Sequence, residues 1–155
     1  MKRTHLFLVA VLASVASAAA VASAAGDPPL ARASRAAKVE LRHTALGKIL
    51  VDASGDTLYR FTKDTHNKDT CVNVSGCLGN WPALSTSAKP IAGPGVKASL
   101  LSSIKLPDGA RQVTYAGHPL YLYSGASEAA ETVYVGAVQF GGTWYAVNAA
   151  GNTVR

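Results

Sequence analysis

The chain has 155 residues, 15 of them basic and nine acidic, for a net charge of +6 at pH 7. An apolar start to the chain carries two of those positive charges, Lys2 and Arg3, and no acidic residue, so the remainder stands at +4. That excess is too small for an electrostatic nucleic-acid binder, and about 130 residues are enough for one ordinary domain without a second.

Residues 1 to 25 read as a secretory signal. Lys2 and Arg3 form the charged start, and Leu6 to Val15 form an apolar run too short to span a bilayer. Small residues follow, with Ala22-Ser23-Ala24 and Ser23-Ala24-Ala25 both fitting a cleavage site. No cysteine stands there to carry a lipid, so the expected product is secreted or periplasmic, with no transmembrane span after cleavage. A retained amphipathic anchor is the alternative. Residues 26 to 38 are rich in Ala and Pro, with Arg32, Arg35 and Lys38 at near-helical spacing. They read as a basic linker, or as a short helix touching anionic envelope polymers or lipid head groups.

From Val39 to the end, residues 39 to 155 read as a single all-β repeat domain. Val39 and Leu41 alternate with charged residues, and the same period of two runs through Ile49 and Val51 and through Tyr59 and Phe61. Asp52-Ala53-Ser54-Gly55 has the Asp and the Gly of a four-residue turn, so residues 47 to 62 should form a hairpin. Residues 65 to 101 resist the pattern. They hold Cys71, Cys77, Trp81-Pro82 and Ala92-Gly-Pro-Gly95, and read as an ordered loop capping one end of the sheet, anchored by Trp81. The only cysteines are Cys71 and Cys77. In an oxidising compartment they read as a disulfide, for which the chain-entropy model gives roughly 2 to 2.5 kcal/mol.

Strands return at Ser103 to Leu106, and Pro107-Asp108-Gly109 turns the chain into Arg111 to Tyr115. Ala116-Gly117 turns it again into Pro119 to Tyr123, with Pro119 expected at a strand start or an unpaired position. Val133 to Phe140, Thr143 to Val147 and Thr153 onward complete the expected strands. Ile49 to Asp64 is written a second time as Gln112 to Ala126, at an offset of 63 residues for Val51 and Thr114 and 62 for Tyr59 and Tyr121. Val147 to Val154 echoes its turn. The expected fold is a small antiparallel sandwich or open barrel of repeated hairpin units, with one long disulfide-pinned loop.

Tyr59-Arg-Phe61-Thr-Lys-Asp64 is the densest set of candidate ligand-binding residues. Two aromatics on one strand face, with a carboxylate beyond the strand end and Trp81 nearby, suit a sugar ring or a flat ligand. The competing reading puts both rings in the core and has Asp64 cap the turn of Thr65 to Lys68. His43, His66 and His118 lack the spacings of a local metal site, and no methionine remains after the leader for a copper(I) or blue-copper centre. No metal, no cofactor and no catalytic residue is expected. Nucleophile elbow, zinc-protease and phosphate-loop signatures are absent, and Asp52 with Asp56, and Glu128 with Glu131, lie in turn-like segments.

Leu46 to Asp64, Cys71 and Cys77 leading into Trp81-Pro-Ala-Leu84, and Gln112 to Tyr123 together resemble the bacterial secreted-repeat family of predicted lipoproteins. That family is marked by a Tyr-x-aromatic-x-x-Asp motif. The resemblance implies an extracytoplasmic protein of unknown molecular activity. Two departures stand out: Ala126 occupies the place of the second motif's Asp, and the leader has no lipobox cysteine. The expected function is a non-enzymatic envelope protein acting by binding or structural interaction, its partner a cell-envelope component or a protein. The alternative is a small-ligand or metal-binding module using Tyr59, Phe61, Asp64 and the Trp81 region.

Overall fold

A computed structural model of the protein describes residues 36–155. The leader at 1–25 and residues 26–35 of the linker lie outside them, while Lys38 already opens the first strand. Strand β1 (Lys38–Thr44) pairs antiparallel with β2 (Gly47–Asp52), setting Val39 opposite Asp52 and Thr44 opposite Gly47. The chain then turns at Asp52, whose Oδ1 accepts from the backbone N–H groups of Ser54 and Asp56, each at 2.9 Å. Gly55 takes φ +92°, a conformation that opposes any β-branched side chain. Val51 bridges Thr57 across this turn, as the hairpin pattern predicts, before the chain leaves β2 for β3 (Tyr59–Phe61).

The same grammar is spelled a second time by β5 (Leu101–Lys105), β6 (Arg111–Tyr115) and β7 (His118–Pro119). These three form their own antiparallel sheet in the order β5-β6-β7. Pro119 sits in the two-residue β7 opposite Thr114. The echoed turn also forms, with Asn148 Oδ1 accepting from Ala150 and Asn152 as Asp52 does from Ser54 and Asp56. The last strands, β9 (Gly142–Val147) and β10 (Thr153–Val154), build a sheet in the order β10-β9-β3, with β8 (Val138–Gln139) also paired to β9. So the first repeat's β3 is completed by the second repeat's β9. Among the described residues the fold is mostly strands in three small sheets, without a closed barrel.

Two segments differ from the sequence reading. Residues 65–101 do more than cap an end: they contain a 3-10 turn (Cys71–Asn73), helix α1 (Cys77–Asn80), the two-residue β4 (Ile91–Ala92) parallel to β1, and a second 3-10 turn (Ala98–Leu100). Pro82 to Thr86 also run as a paired strand. Leu122 N–H donates to Pro82 O, Leu84 N–H to Leu120 O and Thr86 N–H to Arg111 O, each at 2.9 Å. Pro82 hides this from pattern reading because proline signals against strand. The second segment, Val133 to Phe140, keeps only β8 as strand. Its earlier half curls over β2, where Val135 packs against Ile49 and Val51. That curl turns at Gly136, which takes φ +87°.

Strand β2 is buried on both faces, which alternation alone does not show. Leu50 packs into an aliphatic core with Val39, Leu58, Leu84, Val113, Leu120 and Val147, while Ile49 and Val51 face Ala146 on the other side. Each such side chain contributes about 1.5 to 3 kcal/mol on burial. Beside the aliphatic core lies an aromatic one, holding Tyr59, Phe61, Trp81, Tyr121, Trp144 and the Cys71–Cys77 disulfide. The disulfide, with its Cα atoms 5.4 Å apart, pins the 65–101 segment into that core.

Candidate functional site

The candidate residues meet where the two repeats meet. Tyr59 and Tyr121 occupy equivalent positions, and they pair with each other: each backbone N–H donates to the other's carbonyl at 2.9 Å. Around this exchange the rings obey an approximate twofold relation. Trp81 and Trp144 stack face to face at 4.1 Å with 2° between their planes. Tyr59 stands edge-on to Trp81 at 5.1 Å, and Tyr121 stands edge-on to Trp144 at the same distance. Across the repeats, Phe61 stacks on Trp144 at 4.2 Å and Tyr123 leans on Trp81 at 4.7 Å. Such pairs contribute about 0.5 to 1.5 kcal/mol each beyond their buried area.

Trp144 is the residue that sequence reading missed, although a signal for it was present. Trp81-Pro82-Ala83-Leu84 and Trp144-Tyr145-Ala146-Val147 stand 63 residues apart, the offset of Val51 and Thr114. The pairing follows the same symmetry, since Tyr59 lies opposite Ala146 and Tyr121 bridges Ala83.

Asp64 reaches past the Thr65–Lys68 turn. Its Oδ1 accepts from the Thr70 backbone N–H and hydroxyl, both at 2.8 Å, and its Oδ2 accepts from the Tyr121 hydroxyl at 2.7 Å. Burial pushes the Asp64 carboxyl above its ordinary value, and those three bonds oppose the push. Burial also raises the Tyr121 hydroxyl, helped by the negative charge of Asp64 and Asp69. Tyr121 therefore stays a donor. Its counterpart Tyr59 is raised by burial first and Glu131 second, and donates to the Glu131 backbone carbonyl at 3.1 Å, where the Thr57 hydroxyl also donates.

The structure thus brings Tyr59, Phe61, Asp64 and Trp81 together, with Tyr59 at 2%, Phe61 and Trp81 at 0% and Asp64 at 9% exposure. Phe61 and Trp81 both stack on Trp144, Tyr59 stands edge-on to Trp81, and Asp64 is bonded to Tyr121. The Trp81 indole N–H donates to Gln139 Oε1 at 2.8 Å, whereas the buried Trp144 indole nitrogen has no partner among the described residues. His66 and His118 are also brought together, near Arg60, while His43 stands apart on β1 opposite Lys48. Asp52 and Asp56 share one turn, where Asp56 is raised by burial and then by Asp52.

A family model described as a secreted repeat of unknown function matches residues 41–85 and 102–148. The chain belongs to this family. The two matched stretches are the two halves related by the tyrosine exchange and the tryptophan stack, and the unmatched interval between them contains β4 and the second 3-10 turn. Membership in a secreted family supports an extracytoplasmic location. No curated protein and no solved structure matches the chain. Among the described residues, no helix is long and apolar enough to cross a membrane.

Proposed function

We propose that the chain is a non-enzymatic module, exported by the signal at residues 1–25 to the periplasm or the medium. It acts there by binding or structural interaction through its outer surface. The supporting observation is that the family-motif side chains are consumed inside the protein. The Tyr121 hydroxyl donates a hydrogen bond to Asp64 at 2.7 Å, and Trp81 and Trp144 cover each other at 4.1 Å. A ring whose faces are stacked and a carboxylate whose oxygens are bonded offer little to a ligand unless the core opens. The module's work then falls to groups outside this core.

A thermal-shift panel tests the reading, because a ligand that binds the folded state raises its melting temperature with occupancy. Divalent metals, haem and neutral saccharides are expected to leave the protein unshifted. A reproducible shift that disappears in Asp64→Asn would replace the reading with a ligand module built on Tyr59, Phe61, Asp64 and Trp81. Intact mass of the exported protein checks the compartment: the chain should begin near Ala25 or Gly26, carry no lipid, and be lighter than its reduced form by the two thiol hydrogens. A retained leader or a free thiol pair would count against export through that signal.

A further inference from the structure

The two repeats are covered alike at their turns but trimmed with different chemistry. Gly55 and Gly117 take φ +92° and +77°, and each carbonyl accepts a 2.7 Å backbone bond from an overlying residue, Ala130 and Asn67 respectively. Both donors share φ +55°, so the overlying segments correspond, and His66 stands where the other half has Ala129. By the same relation His118 replaces Asp56, and Arg60 replaces Leu122. Three basic side chains gather at one turn. Their counterparts at the other are Ala129, Asp56 and Leu122.

The cluster is close and short of partners. His66 packs so tightly over Gly117 that a Cβ there would lie 2.0 Å from its ring. Arg60 Nε and His118 Nδ1 are both shielded, and among the described residues neither has a hydrogen-bond partner. Among the described residues Arg60 makes no ion pair, the one such pair joining Lys38 to Glu40. The nearest opposite charge, Asp64, has its oxygens committed to Thr70 and Tyr121. Burial, then Arg60, then His66 lower the proton affinity of His118. A guanidinium beside two imidazoles, with the neighbouring carboxylate already bonded elsewhere, is a donor set that suits an anion.

We propose that Arg60, His66 and His118 form a binding site for an oxyanion of the phosphate class. The guanidinium presents a planar fork that matches phosphate oxygens, and each imidazole adds a donor once protonated. Arg60 and His118 are half-buried and His66 is exposed. The charged group acting on Arg60 is Asp64, and the groups acting on His118 are Arg60 and His66. Burial, then Arg60, then His66 disfavour the charged form of His118, and a bound anion favours it, so binding must tighten as pH falls through the histidine range. The site deepens the reading of an outward-acting module and rests on it; in an extracytoplasmic setting the phosphate is either free or part of an anionic polymer.

Titration calorimetry on the mature chain tests the site, using inorganic phosphate, a glycerol-phosphate oligomer, and acetate as a carboxylate control. Phosphate is expected to bind about threefold or more tightly at about pH 5.5 than at about pH 8. Acetate should bind at least about threefold more weakly than phosphate, since it lacks the third oxygen. His66→Gln, a change at an exposed residue, should weaken phosphate by about threefold, and Arg60→Gln should abolish binding. Histidine-ring nitrogen signals in the unaltered protein give a readout independent of variant folding: those of His66 and His118 should move on phosphate addition while that of His43 stays. A tighter oligomer identifies a polymer as the source, and equal affinity per phosphate identifies the free ion. Unmoved ring signals, binding insensitive to pH, or acetate matching phosphate would overturn the site. The reading of a closed aromatic core would survive that failure, because it falls only to a ligand shift lost in Asp64→Asn.

Discussion

The two repeats share one ring arrangement but finish their tyrosines differently. Tyr59 ends on a backbone carbonyl of Glu131 at 3.1 Å, and Tyr121 ends on the Asp64 carboxylate at 2.7 Å. The motif carboxylate of the first repeat thus serves the tyrosine of the second, and where the second has Ala126, a main-chain oxygen takes over the duty. The missing second Asp needs no lost ligand to explain it. The difference teaches that symmetric features here build the fold, while asymmetric ones, including the basic cluster at Gly117, mark where the halves have separate tasks.

The shared tryptophan stack gives the largest test of that division. Trp81→Ala and Trp144→Ala should each cost about 3 to 5 kcal/mol in urea unfolding, the range for large aromatic truncations in cores. Trp81 should cost more by about 1 kcal/mol, because its indole N–H has Gln139 as acceptor and that of Trp144 has none. The double variant should cost less than the sum, since the two share one interface. Full additivity would mean that the halves do not lean on each other.

The equivalent glycines Gly79 and Gly142 sharpen the comparison at smaller cost. A Cβ at Gly142 would lie 2.5 Å from the Phe61 ring, whereas one at Gly79 meets nothing within 4 Å. Gly142→Ala should therefore destabilise by about 1 to 3 kcal/mol through overpacking, and Gly79→Ala in α1 should be neutral or stabilising by up to about 1 kcal/mol. Similar thermal melts for both would show that Phe61 has room to move off Trp144.

How far the sequence reaches is visible in these same residues. Asp52 with Gly55, and Asp108 with Gly109, announced their turns because turn chemistry is local, and the bonds to Ser54, Asp56 and Ala110 bear that out. The family motif, the secreted character and the Cys71–Cys77 bridge were legible for the same reason. What pairs across the repeats was not. Nothing near Asp64 names Tyr121, 57 residues away, as its donor, and Pro82 disguised a strand whose partners, Leu120 to Leu122 and Arg111 to Val113, lie far along the chain. Internal homology carries that long-range information, and Trp144 was recoverable from it alone.

Removing single hydroxyls compares the two tyrosine ends directly. Tyr121→Phe strips a bond from a buried carboxylate and should cost about 1.5 to 3 kcal/mol, the range for bonds to charged groups. Tyr59→Phe removes a neutral bond to a carbonyl that Thr57 still serves, so about 0.5 to 1.5 kcal/mol is expected. Chemical denaturation of both variants checks the order. Reversal would place the Asp64 proton balance elsewhere than on Tyr121.

The smallest expected effect, and the most discriminating in sign, belongs to Asp64→Asn. The amide oxygen keeps accepting from Thr70, and the amide nitrogen can donate to the Tyr121 oxygen, leaving the hydroxyl proton free to turn elsewhere; the net change near neutral pH should be about 1 kcal/mol or less. The pH dependence separates burial from bonding. Burial raises the folded-state proton affinity of Asp64 above its unfolded value, so its favourable contribution is complete below the unfolded pKa and is lost as pH rises through the folded one. Asn does not titrate. The stability of Asp64→Asn relative to the parent should therefore rise with pH from the ordinary carboxylate range upward, a trend read from paired urea midpoints along a pH series. If the gap instead widened in the parent's favour, the bonds from Thr70 and Tyr121 would outweigh the burial of the charge, and Asp64 would be a stabilising anion held for the second repeat's tyrosine.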